Sequence, residues 1–208
     1  MDELFGYVPP VTKYICLSAL ATSTLCSLHF IGMQDLFFDT NLVLEKLEIW
    51  RVFTTFTYFG DFNIFTFLNL FMLFQNCKML EVMIFQGAKA EFLNFILFSS
   101  SMLLLLAPFL NLLFLSESLL MCILYLLSKK NREGQFGFLF MPMLRIPSTF
   151  LPYVYLMLGM FSRSLVVGMS IGHLYYYFEE VLPKLPNFEG FRPLKPLSPV
   201  CWLAARIA

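Results

Sequence analysis

Apolar and polar positions fall in long blocks along the chain, not in a residue-by-residue alternation. Six apolar runs, bounded by charges, Pro or Gly, predict six helices. The first covers about Tyr14 to Gly32. A long loop follows, Met33 to about Gly60, with Asp35, Asp39, Glu45, Lys46 and Glu48 along it. The second helix covers about Phe62 to Leu80. The third runs from about Phe92 to Ala107, where Pro108 ends or kinks it. The fourth covers about Leu110 to Leu127 and stops at Ser128-Lys129-Lys130-Asn131-Arg132. A Gly/Phe-rich loop, Glu133 to Pro147, leads to the fifth helix, about Phe150 to Phe161. The sixth covers about Leu165 to Leu182 and ends at Pro183. Beyond it lies a Pro-rich segment expected to form a short extended tail.

Composition says what surrounds these helices. Of 208 residues 59% are apolar, 18% aromatic and 13% charged, with 26 Phe, and the mean hydropathy is +0.74. An ordinary soluble domain is about 25% charged. Lipid is therefore the expected solvent, and the length holds six spans of about 20 residues. The expected fold class is an all-α membrane protein, a six-transmembrane-helix bundle. A net charge of zero argues against nucleic acid as a partner.

Charge also orients the chain. With a cytosolic N-terminus, only Lys46, Arg51 and Arg163 of the 14 Lys and Arg residues lie on the opposite face. The positive-inside rule then places both termini in the cytosol. The start, Met1-Asp2-Glu3-Leu4, lacks the basic region of a cleaved signal peptide. The five Cys residues are odd in number, contain no CxxC and read as reduced packing residues. The third and fifth helices look short for a bilayer core of about 30 Å, which implies local thinning or shielding by neighbours.

Familiar catalytic chemistries find little support. His29 and His173 lack ligand spacing, and P-loop, dinucleotide and HExxH motifs are absent. No metal or cofactor is expected. Polar residues inside apolar runs are the better lead, because they are costly in lipid and face protein or water. Asn69, Gln75 and Asn76 lie on the second run, and Asn94 and Ser99 to Ser101 on the third. Asn111, Ser116, Glu117, Ser118 and Cys122 lie on the fourth, with Asn111, Ser118 and Cys122 sharing a face at i, i+7 and i+11. Singly, each fits interhelical hydrogen bonding; together they suggest a polar groove, with Asn69, Gln75, Glu117 and Ser118 as its candidates. Gly168-Met-Ser-Ile-Gly172 is a GxxxG for close helix packing, and His173 follows it. At Trp50-Arg51 an amphipathic stretch meets an apolar run and reads as an interfacial anchor.

Taken in order, several stretches resemble the Derlins, the rhomboid-like pseudoproteases of the endoplasmic reticulum membrane. They are Ile49-Trp50-Arg51-Val52-Phe53-Thr54, Tyr58-Phe59-Gly60, Asn69-Leu70-Phe71 through Gln75 to Leu80-Glu81, Leu124-Tyr125, Asn131-Arg132, Phe136-Gly137-Phe138 and Leu151-Pro152-Tyr153. The clearest is Gly168 through Gly172-His173-Leu174-Tyr175-Tyr176-Tyr177-Phe178-Glu179-Glu180 to Pro183. The resemblance covers about residues 7 to 200. It implies a rhomboid-like membrane domain over 1–183, a short cytosolic tail over 184–208, and multi-pass residence in the endoplasmic reticulum membrane. It also implies a role in degradation of misfolded proteins. Misfolded substrates are bound and helped back to the cytosol, beside a RING-type ubiquitin ligase and an AAA+ ATPase engaged directly or through a partner. Membrane lipid and homo- or hetero-oligomers complete the implied partners. A lateral gap between the second and fifth helices would take the substrate, with Trp50 and Arg51 bracing the luminal loop and Gly168 and Gly172 locking the sixth helix.

Rhomboid proteases place their Ser within Gly-x-Ser-Gly and their His three residues before the GxxxG. Here Ser118 has Glu117 and Leu119 beside it, and Leu165 holds the His position. The resemblance therefore implies no catalytic residues. An active intramembrane serine protease and a small transporter remain the alternatives. The tail begins a Phe-x-Gly-like box at Phe188-Glu189-Gly190, but Arg192 stands where the next Gly belongs.

Overall fold

A computed structural model of the chain describes residues 8–131, 135–138, 141–159, 161–186, 194 and 198–206. Its helices follow the apolar runs, with ends moved by local chemistry. α1 (Pro10–Ser27) opens on Pro10, whose fixed φ and missing N–H suit a first turn. The segment read as one loop holds a 3-10 turn, Met33–Asp35, and two short helices, α2 (Thr40–Glu45) and α3 (Trp50–Thr57). Asp39 caps α2 by accepting from the Asn41 N–H. α4 (Ile64–Met79) starts where the Asn63 side chain accepts from the N–H groups of Phe65 and Thr66. It continues as a π-helical turn, Leu80–Ile84, closed by a bond from the Phe85 N–H to the Leu80 carbonyl.

α5 (Lys89–Leu110) spans 22 residues, so the third run is not short. Pro108 does not end it. A proline removes one hydrogen bond, and the helix carries on for two residues until Asn111 turns left-handed at φ 52°. That stop delays α6, which covers Ser116–Lys130. Asn111 thus lies outside the fourth helix and off the face proposed for it. The Gly/Phe-rich loop contains a hairpin, β1 (Gln135–Phe138) against β2 (Met141–Pro147), antiparallel with an irregularity at Gly137/Phe138. Its signal was the alternation of Phe136 and Phe138 with Gln135 and Gly137. A 3-10 turn, Ser148–Phe150, leads into α7 (Leu151–Leu158). α8 (Arg163–Tyr176) extends through a π turn, Tyr177–Val181, and a 3-10 turn, Leu182–Lys184. The tail is not wholly extended: α9 (Ser198–Arg206) packs on α5 with Val200 and Ala204 buried. Phe188-Glu189-Gly190 and Arg192 lie outside the described residues.

Two helices are long and apolar enough to cross a membrane by themselves among the described residues, Ile64–Ile84 and Lys89–Leu110. At 1.5 Å per residue, each is about 32 Å long. The others are shorter, and the fold coheres around one of them. α6 is buried all round, from Leu119 to Ser128 without a break, as expected of a helix apolar on every face. α8, α4, α7, α3 and α5 surround it.

α8 makes the closest contact. A Cβ on Gly168 would stand 2.3 Å from the Ser118 carbonyl oxygen, and one on Gly172 would stand 3.1 Å from the Tyr125 Cβ and 3.2 Å from the Cys122 carbonyl. Across this seam the Ser118 hydroxyl donates to the Ser164 carbonyl (2.8 Å), and the Cys122 thiol donates to the Gly168 carbonyl (3.0 Å). On the far side Glu81, from the π turn of α4, caps α1. Its carboxylate accepts from the Val11 and Thr12 N–H groups at 3.2 and 2.9 Å and from the Thr12 hydroxyl at 2.8 Å.

The seam ranks the two glycines. Gly168→Ala must displace backbone, which costs about 1–3 kcal/mol, whereas Gly172→Ala needs only a slight shift. Thermal unfolding in detergent should show Gly168→Ala lowering the midpoint further than Gly172→Ala; the reverse order would contradict the seam.

Candidate functional site

At the end where α6 and α8 begin, the seam opens into a cavity of about 640 Å³ whose wall mixes polar groups with apolar ones such as Met33, Phe59 and Phe114. Four parts of the chain build it, the first being the 3-10 turn at Met33. The turn between α3 and α4 brings Tyr58, Gly60, Asp61 and Asn63. The link from α5 to α6 brings Asn111 and Leu113, followed by Ser116 and Glu117 on α6. The start of α8 adds Arg163 and Ser164. Gly60 holds φ +107°, a region L side chains rarely adopt, with the Thr66 hydroxyl close by.

Hydrogen bonds fix the walls. The Ser116 hydroxyl donates to the Tyr58 carbonyl at 2.5 Å. The Thr55 hydroxyl donates to the Leu113 carbonyl at 3.2 Å, and the Phe38 N–H donates to the same carbonyl at 2.9 Å. The Tyr58 phenol donates to Asp61 at 3.0 Å. Burial, with Cys26 and Asp61 beside it, pushes this phenol above its usual range, so it stays a neutral donor. The wall carries carboxylates at Asp61 and Glu117 and a guanidinium at Arg163. Glu117 is half-buried.

Arg51 secures the outer loop. It is buried and does not snorkel: Nε donates to Glu48 at 2.5 Å, and Nη1 donates to the Gln34 and Phe37 carbonyls at 2.7 and 3.1 Å. Its guanidinium also lies over the Phe37 ring at 5.1 Å. Trp50 is exposed.

Of the groove candidates, the cavity wall holds Glu117 but not Asn69, Gln75 or Ser118. Ser118 is buried in the seam instead. Asn69 accepts a bond from the Tyr155 hydroxyl at 2.9 Å, which joins α4 to α7. Gln75 is half-buried further along α4. His173 Nδ1 and the Tyr125 hydroxyl share a hydrogen bond at 2.8 Å, well away from Ser118's partner. Among the described residues no group of His, Cys, Asp and Glu is placed to hold a metal ion. The cysteines are all unbridged, with Cys26, Cys77 and Cys122 buried, Cys16 half-buried and Cys201 exposed.

Comparison with known proteins gives this arrangement its place. The sequence model of the Der1-like family matches residues 8–194. The chain belongs to the Der1-like family. It is 32% identical to Derlin-2.2 of Arabidopsis thaliana, over 95% of this chain and 85% of the relative. It is 30% identical to Derlin-2 of Oryza sativa subsp. japonica, over 95% and 84%. A probable derlin-2 homolog of Dictyostelium discoideum is 29% identical over 89% and 77%. Family and apolar helices together make this Der1-like chain a membrane protein.

Sequence reasoning counted Asn111 among the polar residues that suggest a groove but missed Asp61, Asn63 and Arg163 as lining residues. Asn63 and Arg163 sit at helix ends and Asp61 in the turn before one, and ends are the least legible part of an apolar pattern. Asn63 was recoverable: a polar residue before an apolar run is a cap signal. Tyr155 and Tyr125 gave no signal, because a tyrosine in an apolar run reads as packing.

A lysine at position 51 cannot fork between a carboxylate and two carbonyls. Arg51→Lys should lose about 1.5–3 kcal/mol and speed amide hydrogen exchange over residues 34–37; wild-type exchange there would remove Arg51 as the anchor of the loop.

Proposed function

We propose that this Der1-like protein is a non-proteolytic factor of endoplasmic-reticulum-associated degradation, taking misfolded polypeptide at the polar cavity and aiding its return to the cytosol. The observation that carries this reading is the cavity. It is a hollow of about 640 Å³ with carboxylate, amide, hydroxyl and guanidinium groups on its wall, in a chain otherwise suited to lipid. A peptide backbone cannot enter hydrocarbon without hydrogen-bond partners. Such a wall offers partners for both its N–H and its C=O groups.

The exit is lateral, between α4 and α7. α7 with its 3-10 turn is about 17 Å long at 1.5 Å per residue, well short of a bilayer core of about 30 Å, so lipid beside it thins. Asn69 and Tyr155 bridge the gap with a bond that a passing backbone can replace. In this reading α1, α4, α5, α6, α7 and α8 are six spans in the endoplasmic reticulum membrane. Both termini are cytosolic and the cavity faces the lumen, as the distribution of Lys and Arg favours. The RING-type ligase and the AAA+ ATPase are the proposed downstream partners.

Ser118 supports the non-proteolytic part. Its hydroxyl is engaged by the Ser164 carbonyl, and the imidazole of His173 is engaged by Tyr125. A serine without a base in hydrogen-bond reach is a weak nucleophile.

The test is a chase of a misfolded reporter blotted for intact and clipped forms. Deletion of the protein should slow loss of the intact form without yielding fragments. Ser118→Ala gives up about 1 kcal/mol of seam bonding and should restore the wild-type rate. Fragments that vanish with Ser118→Ala would establish a protease instead, and no effect of deletion would refute the degradation role.

A further inference from the structure

At the opposite end of the seam from the cavity stands a second polar cluster, built on Tyr125. Its hydroxyl bonds to His173 Nδ1 at 2.8 Å, and the two rings meet edge to face, 5.8 Å apart. In the tautomer whose Nδ1 accepts from the phenol, the ring hydrogen sits on Nε2. That N–H has no acceptor among the described residues, and His173 is exposed. Lys129, one turn along α6, lays its ammonium over the same Tyr125 ring at 5.3 Å from the centroid.

Neighbouring charges leave Lys129 in an unusual position. Lys130 pairs with Glu180 at 3.0 Å, and Lys184 reaches the other oxygen of Glu180 at 3.5 Å. Lys129 has no carboxylate partner among the described residues, although it is half-buried. A ring face attracts an ammonium but offers no hydrogen-bond acceptor as strong as an anionic oxygen. One cation and one imidazole, whose Nε2 has no partner among the described residues, thus border a single aromatic ring.

The surroundings indicate what supplies it. Tyr153 of α7 and Tyr176 of α8 lie within electrostatic reach of the Tyr125 hydroxyl. The cluster therefore stands beside the shortest of the six helices, where a thinned bilayer brings its headgroups inward. Basic pockets between membrane helices hold lipid phosphate in this way, with lysine acting as a compact charge.

We propose that Lys129, His173 and the Tyr125 ring between them form a binding site for a phosphate group, supplied by a phospholipid of the leaflet that meets the C-terminal end of α6. In the orientation proposed above, this is the cytosolic leaflet. The Lys129 ammonium neutralises the phosphate, and the His173 Nε2–H directs one of its oxygens. Tyr125 holds both groups and makes no bond to the phosphate.

The experiment is native mass spectrometry of the full-length protein released from nanodiscs that contain dioleoyl phosphatidic acid in phosphatidylcholine. Wild-type protein should retain phosphatidic acid. Lys129→Gln and His173→Gln should each weaken retention about tenfold, as expected for one charge-assisted hydrogen bond. Lys129→Arg, which keeps the charge, and Lys13→Gln, an exposed cation on the same membrane face, should leave it unchanged. Inorganic phosphate, added in excess, separates the sources. If it does not displace the lipid, the phospholipid assignment stands. If it does, and the displacement requires Lys129, the site serves soluble phosphate and the lipid assignment falls. Wild-type retention in both Gln variants would overturn the site altogether.

Discussion

The carbonyl oxygen of Ser118 occupies space that a methyl group on residue 168 would need. Because residue 168 is glycine, α8 settles against α6 with backbone nearly touching backbone. In lipid no hydrophobic force drives helices together, so close van der Waals contact and short interhelical bonds must do so. The seam supplies both, through Gly168 and Gly172 and through the donors on Ser118 and Cys122. α6 is thereby enclosed on every side, and the other helices take their positions around it. The cavity is a consequence of the same geometry. Where α6 and α8 begin together, the α3–α4 turn and the α5–α6 link must bridge over them, and their polar groups line the space beneath.

Both ends of the seam are therefore polar, but with different chemistry. One end gathers Asp61, Glu117 and Arg163 around a hollow. The other gathers Lys129, Tyr125 and His173 beside short α7. Between them the seam is buried and tightly packed. Arg51 and Glu81 hold the periphery, one clamping the outer loop and the other capping α1. Each is a buried polar side chain that bonds to backbone groups as well as to a side chain, which places it at a fixed point of the fold.

Much of this was legible in the sequence. The apolar runs located α1, α4, α5, α6, α7 and α8, of which two are long and apolar enough to cross a membrane among the described residues, and GxxxG marked the seam because small residues at that spacing have a single dominant use in membranes. The resemblance carried by Trp50-Arg51 and Gly168 through Pro183 identified the family. What was not legible depended on tertiary context. Pro108 reads as a helix end, yet α5 passes through it, since one missing bond costs less than breaking a well-packed helix. Asn111 reads as part of the fourth helix, yet its left-handed φ makes it a stop. The tail reads as extended because of its prolines, yet residues 198–206 form a helix once Val200 and Ala204 find α5. Among the site residues, the sequence offered Glu117 for the wall but grouped it with Asn69, Gln75 and Ser118, which the fold disperses. His173 was noted only as following the GxxxG, while its partner Tyr125 comes from another helix and could not be inferred from spacing.

The central claim is that polypeptide meets this protein at the polar cavity. Site-specific photocrosslinking tests it most directly, in cells that express a misfolded luminal reporter. Photoreactive residues at Glu117 and Leu113, on the cavity wall, are compared with one at Leu105, which is 61% exposed on the apolar surface of α5. Reporter adducts at Glu117 and Leu113, with none at Leu105, are the expected result. Adducts at Leu105 alone, or equally at all three positions, would contradict the claim.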